Sequence, residues 1–305
     1  MPVDANAYLV ADGTADGAIP LLYGTEVIEQ LYEAQKLVGL GKDISRMFSG
    51  AGKTQQIPTD ETHWAVSALT EGTETSISAL SNSSKAITFV WYGDAKEWTI
   101  EAEAVVLPYV LEDMRMKAVK ALGENRDNVI IAELANTTST AIYPFVVTAG
   151  VITDVKETSL TVSETFQYEQ LVSAETKMIE SKLTMKSAVV PARFRMAMLK
   201  DARFISNENY NKDVMEKAQI KTSVGTNIIL HNSLPTVTEN SVSVGIGYAL
   251  MEKPFFWVSK RAPAYELDRV NILKRSWTFH YYEAVGAKIV RDAGVIPLKA
   301  VLGNI

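Results

Sequence analysis

The sequence predicts an α+β protein folded as one continuous unit, and three observations predict it. An apolar stripe at helical spacing runs through residues 107–134, long enough for a helix that organises a fold. The second half is mostly short apolar pieces with the period-2 pattern of strands. No repeat, low-complexity linker or clean compositional break divides the chain, so helices and strands must share one architecture with long insertions.

In chain order, Glu26 to Leu40 carries Val27, Leu31, Ala34 and Val38 on one side, predicting an amphipathic helix that Gly39 and Gly41 end. From Lys53 to Ser84, β-like pieces at Thr54–Ile57 and His63–Ala68 alternate with Thr-, Ser-, Glu- and Gly-rich connections. That stretch has too few large apolar residues for its own core, so it reads as an extended hairpin that needs a surface to lie against. Lys85 to Tyr92 predicts a strand with Ile87, Phe89 and Trp91 on one face. The long helix begins near Pro108, with Leu107, Val110, Leu111, Met114, Ala118 and Leu122 along its stripe. Gly123 predicts a weak point or kink, and Val129, Ile130 and Leu134 resume the stripe. Further on, Leu171–Met185 predicts a helix with Leu171, Ala174, Met178 and Leu183 on its apolar side. Strands follow at Ala188–Met198, Asn227–Leu230, Ser241–Met251 and Phe255–Val258. Asn271–Val285 and Ala287–Val290 read as paired strands turning at Gly286, and Val295–Leu302 ends the chain apolar.

Composition narrows function. Of 305 residues, 47% are apolar and 22% charged, an ordinary globular balance, and no apolar run approaches the roughly 18 residues of a membrane span. The N-terminus lacks the basic stretch and apolar core of a secretory signal. The absence of cysteine excludes disulfides, thiolate nucleophiles and cysteine-ligated zinc. Residues 1–150 hold 10 cationic against 20 anionic side chains, and residues 151–305 hold 20 against 16. Lys and Arg are interleaved with acids, as in Lys212-Asp213 and Glu216-Lys217, so no concentrated basic face for specific nucleic-acid reading is expected.

The motifs that suggest chemistry fail on spacing. Gly50-Ala51-Gly52-Lys53-Thr54 lacks the glycine five positions before the Gly-Lys pair that a phosphate loop needs; Met47 stands there. Gly245-Ile246-Gly247 would place the third glycine of a dinucleotide fingerprint at Leu250, so it reads as small residues in a tightly packed strand. His63, His231 and His280 have no metal-ligand spacing, and no Gly-x-Ser-x-Gly elbow exists. Glu101/Glu103 and Glu112/Asp113 flank a helix start, where they complement its dipole. The aromatic runs Phe255-Phe256-Trp257 and Trp277–Tyr282 suit a core or subunit contacts. No catalytic, cofactor-binding or metal residue is assigned, and no enzyme activity or cofactor is expected.

The order of segments resembles the Hong Kong 97 type major capsid proteins of tailed double-stranded DNA phages and archaeal viruses, a family that includes encapsulin shells. Residues 1–52 resemble its N-terminal arm. Residues 53–92, with Glu71-Gly72 leading into Ala86-Ile87-Thr88-Phe89-Val90, resemble its E-loop. Residues 93–145 and 266–305 resemble its P domain, with the spine helix at about 107–134, and residues 146–265 its A domain. Within the latter, Ser187–Met198 and Asn227–Leu230 before Leu234-Pro235 resemble characteristic elements, and Val242–Val258, Asn271–Glu283 and Val295–Val301 resemble the family's ending.

The resemblance implies an α+β Hong Kong 97 capsid fold and a major capsid protein. Such a protein self-assembles as pentamers and hexamers into an icosahedral shell around a double-stranded DNA genome, in a virion built in the host cytoplasm. Its partners would be copies of itself, a scaffold, a portal, decoration proteins and non-specifically contacted DNA, with no membrane. With only residues 1–52 ahead of the E-loop, either a separate scaffold or an already mature chain is expected. Nothing assigns covalent cross-linking to Lys53 or Lys85, and Gly72, Gly93 and Gly123 are candidate hinges. The alternatives are an encapsulin-type compartment around an enzyme, and a soluble α+β enzyme whose site forms only in three dimensions.

Overall fold

The computed structural model describes residues 35–47, 54–59, 83–99, 110–148, 151–154, 160–200, 226–271 and 276–302. Its strands are β1 (Lys42–Asp43), β2 (Thr54–Thr59), β3 (Ser83–Thr88), β4 (Val90–Thr99), β5 (Phe145–Thr148), β6 (Val151–Asp154), β7 (Met185–Pro191), β8 (Asn227–His231), β9 (Thr236–Glu239), β10 (Val242–Met251), β11 (Phe255–Asn271), β12 (Ser276–Ile289) and β13 (Val295–Val301). Its helices are α1 (Val110–Leu134), α2 (Tyr168–Glu180) and α3 (Phe194–Lys200).

Two sheets carry the fold. The long sheet has the order β1-β11-β12-β4, with β11 and β12 antiparallel from Phe255↔Ile289 to Asn271↔Ser276. The second sheet has the order β13-β10-β7-β8, with β9 also on β10 and β8 parallel to β7. The spine helix α1 lies between them. Its Ile130, Ile131 and Leu134 share a core with Phe255, Trp257, Val285 and Ile289 of the long sheet and with Val189, Tyr248, Leu250 and Val295 of the other. Each such large apolar side chain, fully buried, contributes roughly 1.5–3 kcal/mol. On the far face of the five-stranded sheet, Leu171, Ala174 and Met178 of α2 and Phe194 and Met198 of α3 pack on Ala188, Val190, Ala249, Ile296 and Leu298.

The long helix, the stripe of α2 and strands β2, β8, β10 and β13 match the sequence expectations closely. Several other expectations are corrected. Residues 35–37 are not helical and 38–40 form a single 3-10 turn; the remainder of the predicted 26–40 helix lies outside the described residues. The 85–92 strand is broken at Phe89, because Ile87 and Phe89 turn into a small core while β4 departs to pair with β12, leaving Trp91 58% exposed. The 171–185 helix ends at Glu180 through Lys182, whose φ of 59° reverses the chain, and Met185 opens β7. The 188–198 strand stops at Pro191, and Phe194 and Met198, one helical turn apart, bury the inner side of α3. The turn expected at Gly286 is the interior of one strand, β12. The β5–β6 hairpin was not expected.

Gly123 sits inside an unbroken helix, without the expected kink, and Gly93 sits opposite Tyr282 within β4; Gly72 lies outside the described residues. The domain boundary expected between 265 and 266 falls inside β11. Strand β13, grouped by sequence with 266–305, pairs with β10 of the 146–265 segment. Hydrogen bonding between strands distant in sequence makes these pairings, which no local pattern reports.

The packed-strand reading of Gly245-Ile246-Gly247 holds: a Cβ at Gly247 would lie 2.9 Å from the Val189 carbonyl oxygen. Where β1 joins the long sheet, the Asp43 carboxylate accepts from the Ser45 hydroxyl at 2.5 Å and the Ser45 N–H at 2.9 Å. The Ser45 oxygen in turn accepts the Ser259 N–H at 2.9 Å. The Ser45 hydroxyl, then its backbone N–H, hold the Asp43 pKa below the ordinary 3.8. A depressed carboxylate contributes stability that is present above 3.8 and lost as pH falls through the lower folded value. Asp43→Asn is expected to lessen the acid sensitivity of this corner, read as a smaller difference in Tm between pH 5 and pH 3. An unchanged difference would refute the assignment.

Candidate functional site

Three constructions stand out among the described residues. The first joins residues 35–37 to the body. Asp127, buried in the stripe of α1, accepts the Lys36 N–H at 2.8 Å on Oδ2 and the Leu37 N–H at 3.1 Å on Oδ1. His231, buried at the end of β8, places Nε2 3.2 Å from Oδ2. Because His231 Nδ1 accepts the Ser233 N–H, the ring proton belongs on Nε2 and is donated to Asp127. Lys36 Nζ donates to the Leu230 carbonyl at 2.9 Å. One residue earlier on the helix, Arg126 donates from Nε and Nη2 to the buried Glu283 of β12 at 2.8 and 2.7 Å, and from Nη1 to Gln35. Two turns on, Glu133 accepts from Lys288 Nζ and the Ile289 N–H. Charge-assisted bonds from one helix thus fix the segment at 35–37, the five-stranded sheet and the long sheet.

The second construction is a hairpin foot. β2 and β3 pair from Thr54↔Thr88 to Thr59↔Ser83, and residues 60–82 join them. The foot is held by a small separate core in which Ile87 and Phe89 meet Ile44, Phe256 and Val258, with Ile57 against it. This core lies on the face of the long sheet opposite α1. It requires a glycine beneath it: a Cβ at Gly286 would stand 2.8 Å from the Thr88 carbonyl oxygen and 3.0 Å from Ile87 Cγ2.

The third is a set of apolar side chains that the lone chain leaves uncovered: Trp91 on β4, Val119 on α1, Ile179 on α2 and Met196 on α3. Trp91 stands 5.9 Å from the Tyr282 ring, with the Arg261 guanidinium over both. The Tyr282 hydroxyl donates to Glu266, which pushes its pKa up.

Of the residues that the sequence raised for chemistry, His231 belongs to the Asp127 junction and Lys85 to strand β3. His280 lies in β12, and His63, Lys53, Glu101 and Glu103 lie outside the described residues. Among the described residues no group of three or more His, Asp and Glu side chains is placed to hold a metal ion, and no helix is long and apolar enough to cross a membrane. Sequence reasoning missed Asp127, Arg126 and Glu283, charged residues inside apolar patterns. The only signal was the interruption of the α1 stripe itself.

An elongated sheet, a long helix across it and a hairpin foot seated on its other face are the parts that position these surfaces. The phage capsid protein family matches residues 111–301, and the chain belongs to it. Similar solved structures include those of Mycobacterium phage Che8 (TM-score 0.67, 14% identity, 90% of this chain and 94% of that chain covered), the capsid of Cyanophage P-SCSP1u (0.69, 14%, 90% and 90%) and the capsid of Ralstonia phage GP4 (0.68, 11%, 92% and 94%). No curated protein matches in sequence. The fold is of the Hong Kong 97 type, and the chain is a major capsid protein of an icosahedral shell.

Proposed function

We propose that the chain assembles as pentamers and hexamers through its five-stranded sheet and the helices on it. Residues 53–92, as the E-loop, and residues 1–52, as the arm, clasp neighbouring capsomers around a double-stranded DNA genome. The observation that carries this reading is the hairpin foot. Six paired residues on each strand and a dedicated apolar cluster anchor it, while residues 60–82 contain few large apolar side chains with which to build a core of their own. A segment so anchored and so composed gains most by lying on another copy. Individually weak contacts repeated many times make a durable wall. The acidic balance of the chain suits a wall that does not grip the packaged DNA. Copies of itself are the primary partners; a scaffold, a portal and assembly in the host cytoplasm belong to the same reading, and no catalytic step is assigned.

Replacing residues 60–82 by a two-residue Asn-Gly turn tests it. The expected protein keeps its far-ultraviolet circular dichroism and melts within a few degrees of the parent, but gives no closed particles in negative-stain microscopy, where the parent gives shells whose absorbance ratio reports nucleic acid. Particles of normal size from the shortened chain would refute the E-loop assignment. Parent shells filled with protein and free of nucleic acid would refute the genome.

A further inference from the structure

Helices α2 and α3 cover the same face of the five-stranded sheet, bridged by Phe166 and Phe194, whose rings stack at 5.0 Å. Their outward sides are chemically opposite. On α3, Phe194 and Met198 point inward, and at 100° per residue Met196, Leu199 and Lys200 point outward with Arg195 beside them. Arg193 precedes the helix and is exposed. Met196 is 57% and Leu199 48% exposed. No carboxylate occurs from Met185 to Lys200. On α2 the inward set is Gln170, Leu171, Ala174 and Met178. The outward set is Val172, Thr176 and Ile179, with Glu175 and Glu180 on its flanks and Lys177 toward the other side of the helix. Ile179 is 61% exposed. The side chains of Arg193, Arg195, Lys200, Glu175 and Glu180 make no hydrogen bond or ion pair with any described residue.

We propose that the cationic, apolar side of α3 on one copy docks against the anionic, apolar side of α2 on the next copy, forming the contact that closes the capsomer ring. The inference rests on the capsomer reading above and gives it residues. The occupant is a second copy because the complementary stripe is part of this same chain, in charge and in apolar content, and the two stripes sit on one layer without pairing inside the protomer. Two different patches meeting head to tail make a heterologous contact, the kind that generates a ring when its rotation closes. Met196 and Leu199 against Val172 and Ile179 supply the apolar centre, and the Arg195 and Lys200 charges facing Glu175 and Glu180 set the register.

The chain has no cysteine, so introduced pairs report contacts without background. In Arg195→Cys/Glu175→Cys particles, mild oxidation is expected to give a non-reducing ladder of covalent oligomers ending at five and six subunits. Each single-cysteine variant should stay monomeric on the gel. Arg193→Glu/Arg195→Glu/Lys200→Glu should abolish shells while leaving the monomer's melting curve near the parent's, and adding Glu175→Lys/Glu180→Lys should restore them. Normal shells that form no ladder overturn this contact and leave the capsid reading intact. So do shells from the triple reversal, failure of the compensating pair, or dimers from a single-cysteine variant. Absence of shells from the unmodified chain strikes the capsid reading itself.

Discussion

Asp127→Ala is expected to destabilise the folded chain by roughly 3–5 kcal/mol. The carboxylate satisfies three donors at once: the N–H groups of Lys36 and Leu37 and the ring N–H of His231. The Leu37 and His231 donors are buried in the core containing Leu37, Ile130, Ile131 and Leu234, so water cannot replace their lost acceptor without opening it. Removing it leaves donors stranded beside Leu37, which is itself fully buried. Asp127→Asn should lose less, because Oδ1 still accepts from Leu37. Its amide meets the Lys36 and His231 donors with donors of its own, and His231 can switch tautomer only by giving up Ser233. Urea denaturation of the monomeric chain checks the order, parent above Asn above Ala. An alanine variant within about 0.5 kcal/mol of the parent would show the junction to be incidental.

Gly286→Val should act on assembly more than on the fold. The added side chain collides with backbone at Thr88, which no rotamer can relieve, and overpacking of this sort costs about 1–3 kcal/mol. The cheapest escape is to lift β3 off the sheet, which sacrifices the small core of Ile87 and Phe89 and spares the cores around α1 and α2. The expected variant therefore melts only slightly early, is cut by protease between 54 and 88 much faster than the parent, and yields few or no closed particles. Gly286→Ala should show the same pattern more weakly. Wild-type particle yield from the valine variant would mean that the foot need not be seated for assembly.

The parts of this fold that the sequence discloses are those where local pattern and tertiary role agree. Leu171, Ala174 and Met178 announce a helix that does bury them, and β10 reads as a strand from its small and branched residues. Two elements differ from expectation because a periodicity continues past a boundary set elsewhere. Met185 extends the α2 stripe in register but belongs to a strand that pairs with Met251. Phe194 and Met198 fit period two as well as period four, and only Pro191 marks the change. Gly286 looks like a turn because its reason, the closeness of Thr88, comes from almost two hundred residues away. Phe145–Thr148 and Val151–Asp154 pair around Ala149-Gly150, a branched and aromatic pattern about a Gly-containing turn that is itself a hairpin signal. The functional surfaces were less visible still. A buried aspartate in an apolar stripe reads as an outward-facing one, and complementarity between α2 and α3 exists only once their inward faces are known.

The placement of β13 bears on how this protein folds. Its Val295, Ile296, Leu298, Ala300 and Val301 complete the cores on both faces of the five-stranded sheet, and β12 completes the long sheet only a few residues earlier. Folding of both sheets therefore depends on contacts between strands far apart in the chain, the long sheet on β12 and the five-stranded sheet on β13. A molecule cut short before β13 would therefore present neither face of the five-stranded sheet in finished form.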